Sequence, residues 1–269
     1  MKKILSIVLV CCLLFFTVAC NAKKETSESS GNEIVEKNTV AGVKKPDTLK
    51  RVFVGYNQDT EYDIEYKNNK IEIIRKDQNG NLLHIEHVIV FEEETNTATV
   101  WTGVKDPNNL NEEECLVKIT YDQDKRVTVV DLTEYQKHEI TYTDENNASL
   151  KSTYEDLTPL EQNIKFSKDK IEISNKKDPE KTTEEYSCSE FGVAEFSGNE
   201  SKTTYTYDEN GNMTESTSEW RENINKILFT YEESAIEHPY QLLPTLILST
   251  GSETDFVISL ISVQNKVIG

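Results

Sequence analysis

The sequence predicts an all-β protein, an antiparallel β-meander of repeated hairpins with more than twelve strands and one or two short helices. Three observations lead to this prediction. Runs of alternating apolar and polar residues dominate from about residue 48 onward, and short polar turns separate them. Two near copies of an Asp-x-Asn-Gly-Asn turn, at Asp77 and Asp208, stand about 130 residues apart. Period-two alternation places apolar side chains on one face of a strand, so each run is expected to be half-buried.

The chain opens with a segment typical of an export signal. Two lysines precede an apolar run from Ile4 to Ala19, and Cys20 follows. The run is shorter than the roughly 20 residues that a membrane-spanning helix needs. Basic residues before the apolar run and small residues at its end are typical of a cleaved leader. We therefore predict that residues 1–19 are a signal peptide, with a retained short anchor as the alternative.

The residues around the end of the leader read Thr-Val-Ala-Cys and resemble the lipobox of bacterial lipoproteins. The resemblance implies cleavage after Ala19 and a diacylglyceryl group on the sulfur of Cys20, which becomes the first mature residue. Thr17 departs from the leucine that is usual three positions before the cysteine. Two acyl chains give stable membrane anchoring, so the resemblance implies an exported protein held at the cell membrane or outer envelope by lipid.

Domain organisation follows from composition. Residues 20–47 mix charge with Ser, Thr, Asn and Gly without a helical or strand period, which predicts a lipidated cysteine and a flexible polar tether. Residues 48–269 have a length typical of one all-β domain, so we predict a single antiparallel β domain. The net charge of −19 makes nucleic acid an unsuitable partner, because phosphates attract Lys and Arg.

Two cysteines remain in the mature domain once Cys20 is assigned to the lipid. An exported domain permits a disulfide between Cys115 and Cys188. Their spacing in the sequence neither supports nor excludes the bridge, so the sequence leaves this question open.

The turns follow one plan, in which an aromatic residue ends a strand and Asp or Asn opens the turn. In Asp208-Glu209-Asn210-Gly211 the aspartate side chain can bond the turn backbone, while Gly211 takes the left-handed conformation of a type I turn with a bulge. We expect the same of Gly80. Neither Asp77 nor Asp208 starts the frame of a calcium-binding loop, so the motif is interpreted as architectural.

Two further sequence patterns predict buried or irregular elements. The solidly apolar runs Val88–Phe91 and Phe256–Ile261 are predicted to be buried strands. The β pattern breaks at residues 157–162 and 238–248, and each break is predicted to be a short helix or an apolar loop that covers an end of the sheet.

The segment Tyr205–Thr214, Tyr-Thr-Tyr-Asp-Glu-Asn-Gly-Asn-Met-Thr, resembles one unit of the YD (RHS) repeats of bacterial surface proteins. The resemblance covers about ten residues there and fewer at Asp77–Leu82, and it lacks the usual upstream Gly and Arg. It implies hairpins in a β-meander. The lipobox, tether and hairpins together also resemble the β-meander lipoproteins of bacterial envelopes.

Motifs that carry catalytic chemistry are scarce. His84 and His87 would fall on opposite faces of a strand, which disfavours a metal site. The Ser-x-x-Lys match at Ser167–Lys170 sits in a turn without its supporting elements and is interpreted as chance. We accordingly predict no cofactor, no metal and no catalytic residue.

Aromatic residues offer the remaining candidate site. Tyr205, Tyr207, Trp101 and Trp220 are candidates for a ligand surface that would take an extracellular glycan or a protein, although cross-strand packing is the commoner role of aromatics in a meander. The sequence therefore favours a non-enzymatic binding or interaction module. The alternative is an envelope hydrolase with an acidic active site.

Overall fold

A computed structural model describes residues 43–54, 59–77, 79–111, 114–132, 136–155, 157–197, 201–221, 223–250 and 253–263. The predicted signal peptide, Ala19, Cys20 and most of the predicted tether lie outside the described residues. The first strand starts at Lys44, and the Val43 side chain beside it is buried. The last four residues of the segment assigned to the tether, 44–47, therefore belong to the sheet.

The described residues form sixteen strands, which confirms the all-β prediction of more than twelve. They are β1 (Lys44–Val54), β2 (Thr60–Lys67), β3 (Lys70–Lys76), β4 (Leu82–Glu92), β5 (Thr97–Thr102), β6 (Cys115–Tyr121), β7 (Val127–Leu132), β8 (Gln136–Tyr142), β9 (Asn147–Tyr154), β10 (Leu160–Phe166), β11 (Lys170–Asn175), β12 (Asp178–Cys188), β13 (Val193–Ser197), β14 (Ser201–Tyr207), β15 (Met213–Trp220) and β16 (Asn223–Ala235).

Each strand pairs antiparallel with its neighbours in sequence, as expected for a meander. The sheet is closed because β1 also pairs with β16, where Leu49 lies opposite Phe229. The sequence did not distinguish an open sheet from a barrel, and the closure is a finding of the structure.

The barrel has two ends that differ in chemistry. One end carries the turns that follow the even-numbered strands β2 to β14, and the start of β1 lies there too. We call it the aromatic end. The other end, which carries the turns after the odd-numbered strands, is called the opposite end. The two Asp-x-Asn-Gly-Asn turns lie at different ends, because the Asp208 turn follows β14 and the Asp77 turn follows β3.

An aromatic side chain near the C-terminal end of almost every even-numbered strand packs in or against the core at the aromatic end. These residues are Tyr66, Phe91, Tyr121, Tyr142, Phe166, Tyr207 and Tyr231. On β12 the corresponding place is taken by Cys188, which also packs against the core. This explains why the aromatic marker recurs about every hairpin in the sequence and is skipped once.

The Asp208 turn has the predicted geometry. Asp208 Oδ1 accepts hydrogen bonds from the backbone N–H groups of Asn210 and Asn212, at 2.9 Å each. Gly211 has a φ of +86°. At the other end of the barrel Asp77 bonds the backbone of Asn79 and Asn81 in the same way, at 2.8 Å each.

Gly80 in the Asp77 turn has a φ of +81°. Both glycines therefore occupy the left-handed region, which side chains with a Cβ enter at a cost. If the two turns serve only to connect strands, every one of these contacts is explained.

Two helices fill the lumen of the barrel. A 3₁₀ turn at Pro239–Leu242 leads into α1 (Leu243–Ser249), and α2 (Glu253–Val263) follows. All side chains from Asp255 to Val263 are buried, and α2 contacts both β7 and β13, which lie six strands apart around the wall. A helix that is buried on every face is surrounded by other elements, and here those elements are the strands of the wall and α1.

The prediction of a buried strand at Phe256–Ile261 is therefore wrong, because this segment is the middle of α2. A short run that is apolar on all sides does not distinguish a buried strand from a buried helix. The prediction of a buried strand at Val88–Phe91 is confirmed by β4. The break at 238–248 is helical, which is one of the two predicted alternatives. In the break at 157–162, by contrast, the residues from Leu160 onward belong to β10. Pro159 stands immediately before that strand, where its missing N–H does not interrupt the ladder.

The outer face of the barrel is charged. Lysine and acidic side chains form ion pairs across neighbouring strands, namely Lys76–Asp63, Lys151–Glu139, Lys170–Glu185, Lys176–Glu161, Lys202–Glu195 and Lys226–Glu215. Most apolar side chains instead point inward into one core, and the exposed ones on the strands are Val54, Leu82, Leu83, Leu116, Leu160, Trp220 and Leu228.

Candidate ligand-binding cleft

A cleft of about 1130 Å³ opens at the aromatic end. It lies among the β2–β3, β4–β5 and β6–β7 turns and the segment that connects β16 to the 3₁₀ turn. Its lining consists of aromatic side chains below and amides and charged groups above, namely Lys45, Tyr66, Asn68, Asn69, Phe91, Glu92, Glu93, Glu94, Thr95, Asn96, Gln123, Lys125, Glu237, His238, Tyr240 and Gln241.

The aromatic floor of the cleft is a set of contacting rings. Phe91 and Tyr240 stack with centroids 4.6 Å apart and planes 5° apart. The His238 ring lies 4.2 Å from Phe91 and meets the Tyr121 ring edge-on at 5.0 Å and 88°. Both geometries are favourable for π systems. The rings come from β4, β6 and the segment after β16, so the floor ties the lumen helices to the wall.

Tyr66 and Lys45 form one side wall. The Tyr66 hydroxyl donates to the carbonyl oxygens of Pro46 at 2.9 Å and Gln241 at 3.3 Å, and burial raises its pKa. The Lys45 ammonium lies 5.7 Å from the centre of the Tyr66 ring, within the range of a cation–π contact. A cation is thus already accommodated against an aromatic face of the cleft.

Unusual backbone conformations converge on the rim. Among the described residues four non-glycine residues have positive φ, and three of them line the cleft: Asn68 at 54°, Asn96 at 52° and Lys125 at 62°. Asparagine tolerates this region, but lysine has no such preference and the conformation costs it about 1–2 kcal/mol. Backbone strain of this kind is found preferentially at functional sites.

Lys125 lies in a turn built like that of Asp208. Asp122 Oδ1 accepts from the backbone of Asp124 and Arg126, and the Lys125 N–H donates to the Asp122 carbonyl. The lysine therefore stands where the Asp208 turn has a glycine. Its ammonium reaches across the cleft and donates to the Glu237 carbonyl at 2.7 Å.

The rim is acidic. Glu92 ends β4, Glu93 and Glu94 follow it in the β4–β5 turn, Glu237 lines the same cleft, and all four side chains are exposed. Exposed carboxylates keep their hydration until a ligand replaces it. They offer planar acceptors to hydroxyl and N–H groups of a ligand.

His238 lies on the far side of the cleft. Its Nδ1 accepts from the Tyr240 N–H at 3.2 Å, so the proton of the neutral ring is on Nε2, which is buried without a hydrogen-bond partner. The Gln241 amide oxygen accepts from the backbone of Glu237 and His238, which completes the cap of the 3₁₀ turn. Burial, with a contribution from Lys125, lowers the pKa of His238 to about 4, so the ring is neutral at pH 7.

The aromatic residues predicted as a ligand surface do not lie together. Tyr205 is buried in the core, and Tyr207 packs against the core with its hydroxyl donating to the Val193 carbonyl. Trp101 is half-buried and lies on β5, six strands from β15 around the shorter side of the wall. Trp220 is half-exposed at the end of β15, with the Arg221 guanidinium 4.8 Å from its ring. The four residues therefore form no common surface.

The two cysteines of the domain lie on different parts of the wall. Cys115 is on β6 and Cys188 on β12, with five strands between them, and no disulfide joins them in the structure. His84 is exposed whereas His87 is buried, and a β-bulge between them breaks the simple alternation of faces along β4. The His84 ring instead pairs with Glu86 at 3.1 Å.

The arrangement closest to a nucleophile and base is inside the wall. His138 Nδ1 lies 2.8 Å from Ser152 Oγ, and its Nε2 lies 2.8 Å from the Gln136 amide nitrogen. Both His138 and Ser152 are buried, and the third partner is an amide rather than a carboxylate. Burial lowers the pKa of His138 to about 4. The pair cross-links β8 to β9 where a substrate has no access.

Sequence reasoning missed the cleft because its lining comes from separate turns that only barrel closure and the lumen helices bring together. One local signal was available: Lys125 stands where an equivalent turn has glycine. Within the described ranges, no group of three or more His, Cys, Asp or Glu residues could hold a metal ion. No helix in the same ranges is long and apolar enough to cross a membrane.

No protein-family model and no curated protein matches the chain. Among solved structures, a porin-like protein from Bacteroides uniformis is similar, with 14% sequence identity, a TM-score of 0.32, and coverage of 70% of this chain and 98% of that chain. A TM-score of this size is too low to establish a shared fold.

Proposed function

We propose that the protein is a lipid-anchored binding module of the bacterial envelope, and that the cleft at the aromatic end binds an extracellular glycan. The observation that carries the proposal is the convergence of three positive-φ residues, Asn68, Asn96 and Lys125, on one large cleft. A basic residue also has positive φ at Arg221 in the β15–β16 turn, so the support comes from three such residues sharing one cleft rather than from Lys125 alone.

The chemistry of the lining supports a polyhydroxylated ligand. Ring faces such as that of Tyr66 suit the apolar C–H faces of a sugar, and amides and carboxylates above them can bond its hydroxyl groups. The exposed Glu93 and the Gln123 amide are examples of such groups. A few convergent polar groups over an aromatic floor are typical of small-molecule sites.

A hydrolase is the second candidate, because Glu92, Glu93, Glu94 and Glu237 do share a concave cleft. A carboxyl group that acts as general acid near neutral pH needs an environment that raises its pKa, usually burial. All four carboxylates are exposed. Their environment therefore supports binding rather than turnover.

The charged outer wall and the leader sequence support the location. A wall with lysine–carboxylate pairs is suited to water, so the proposed lipid on Cys20 would supply the attachment to the membrane. In cells, Cys20→Ser is expected to move the protein from the membrane fraction to the soluble or unprocessed pool, whereas Cys11→Ser is expected to have no effect. Unchanged membrane partitioning of Cys20→Ser would contradict the anchor.

Binding can be tested by calorimetry of the purified protein with a panel of bacterial cell-wall and capsular oligosaccharides. Glu93→Gln and Tyr66→Ala are expected to weaken binding at least tenfold. Glu180→Gln, on the outer face of β12, is the matched control and should bind as the parent does. Binding of peptides but of no saccharide would overturn the glycan assignment, and cleavage of the saccharide would favour the hydrolase.

A further inference from the structure

A second polar site lies on the inner wall towards the opposite end. Directly paired residues share one face of a sheet. Tyr62 pairs with Leu49, which is in the core, and with Arg75 on its other side, so Arg75 points inward. Arg51 is two residues beyond Leu49 and shares its face. His87 pairs with Ile73, also in the core. Four neighbouring strands thus direct two arginines, a tyrosine and a histidine into the lumen.

The two arginines lack carboxylate partners. Arg51 Nη2 donates to the Leu248 carbonyl at the end of α1 at 3.3 Å, and this is its one hydrogen bond among the described residues. Arg75 makes no side-chain hydrogen bond or ion pair within the same ranges. The Nε atoms of both are buried without a partner. The lysines of the outer face, by contrast, pair repeatedly with acids.

His87 adds a third donor or acceptor without a partner. Its side chain is 8% exposed, and its Nδ1 is buried with no hydrogen-bond partner. Burial lowers the pKa of His87, and the nearby Arg51 lowers it further while Glu86 opposes the shift. The carboxylate that acts on His87 is that of Glu86, which also lies 3.1 Å from the His84 ring. The ring is therefore neutral at pH 7 and does not add to the charge of the two arginines.

A guanidinium that no carboxylate contacts is costly inside a barrel. The Glu86 charge acts on Tyr62 together with Arg51 and Arg75, but among the described residues Glu86 forms no ion pair with either arginine. The arrangement becomes favourable when a ligand supplies the missing negative charge. Two fixed positive charges match a dianion, and the planar fork of arginine matches the oxygens of a phosphate group. Phosphate monoesters carry a charge of about −1.5 to −2 at pH 7.

We propose that Arg51 and Arg75, with His87 beside them, form a binding site for a phosphate group in the lumen towards the opposite end. The guanidinium N–H groups donate to the phosphate oxygens, and the His87 ring lies beside the bound group. Each arginine retains part of its exposed surface, so the site communicates with solvent. This site is separate from the cleft at the aromatic end and does not depend on the function proposed for it.

The purified full-length protein is titrated with inorganic phosphate, glycerol phosphate, sulfate and acetate, with calorimetry and thermal melting as readouts. Phosphate or glycerol phosphate is expected to bind and to raise the melting temperature by mass action. Arg75→Gln and Arg51→Gln should each weaken binding at least tenfold. Arg126→Gln is the matched control, because Arg126 already pairs with Asp122, and should leave binding unchanged.

The same variants test the charge argument without ligand. Arg75→Gln removes an unpaired charge, so without phosphate its melting temperature should equal or exceed that of the parent. If Arg51→Gln fails to fold, Arg51→Lys keeps the charge but loses the fork and should bind phosphate more weakly. The proposal is overturned if phosphate and its ester do not bind, if the arginine variants bind as the parent does, or if acetate binds as tightly as phosphate. Preference of the ester over free phosphate would identify a phosphorylated metabolite or headgroup as the ligand.

Discussion

Lys125 and Gly211 occupy the same position of two equivalent turns, with φ angles of 62° and 86°. In both turns the opening aspartate accepts from the backbone two and four residues later. Glycine adopts this conformation freely, whereas lysine does so at a cost. The lysine ammonium bonds the Glu237 carbonyl over the cleft, which gives the strained residue a role that glycine could not fill.

Lys125→Gly is expected to separate stability from binding. The variant loses the bond to Glu237 but relieves about 1–2 kcal/mol of backbone strain, so its urea midpoint should be no lower than that of the parent. Saccharide binding to the cleft should weaken, because the ammonium that spans the rim is gone. A variant that is clearly destabilised, or that binds fully, would contradict this account of Lys125.

Gly80 and Gly211 should respond differently to the same substitution. A Cβ on Gly80 would meet nothing within 4 Å, so Gly80→Ala should cost only the left-handed conformation, about 1–2 kcal/mol. A Cβ on Gly211 would lie 2.8 Å from Phe191 Cδ1, so Gly211→Ala adds a steric clash and should cost more. Urea unfolding of the two variants measures the difference, and equal losses would show that the Phe191 ring moves freely.

Asp208 should stabilise the protein above pH 4 without calcium. Burial raises the pKa of Asp208, but hydrogen bonds from Asn212 and Asn210 outweigh it and hold the pKa below the ordinary value of 3.8. The stabilisation is present above 3.8 and is lost as the pH falls through the lowered pKa. Asp208→Asn keeps the acceptor at Oδ1 but loses the bond from the Asn212 amide to Oδ2, so it should cost less than Asp208→Ala.

The melting temperatures of these Asp208 variants should not depend on added calcium or chelator. A loss in Asp208→Asn that appears only with calcium would refute the architectural interpretation of the turn. Asp77→Asn offers the same comparison at the opposite end of the barrel.

His138 should make the protein sensitive to mild acid. The unfolded chain binds a proton below about pH 6.5, whereas the buried ring resists protonation until about pH 4. Stability should therefore fall as the pH drops from 6.5 to 4, by up to about 3 kcal/mol for this residue. His138→Asn can retain the bond to Ser152 and should flatten this dependence, whereas the exposed His84→Asn should not. Unfolding midpoints of the three proteins across this pH range provide the measurement.

The strands and their turns could be predicted because their signals are local. Period-two runs such as Lys70–Ile74 and the Asp-x-Asn-Gly-Asn turns carry their geometry in a few neighbouring residues. The helix at Phe256–Ile261 could not be distinguished from a strand, because burial on all sides removes the periodicity that separates the two. The cleft and the arginine pair depend on closure between β1 and β16, which no short stretch of sequence encodes.

The closure has a consequence for how the chain folds. Leu49 pairs with Phe229 across about 180 residues, so one edge of the first strand stays unpaired until β16 has been synthesised. The helices that occupy the lumen follow β16 in the chain and are synthesised after it. The inner apolar surface of the wall therefore stays without its packing partner until the helices follow, and a chain cut short after β16 would leave that surface unpacked and prone to aggregate.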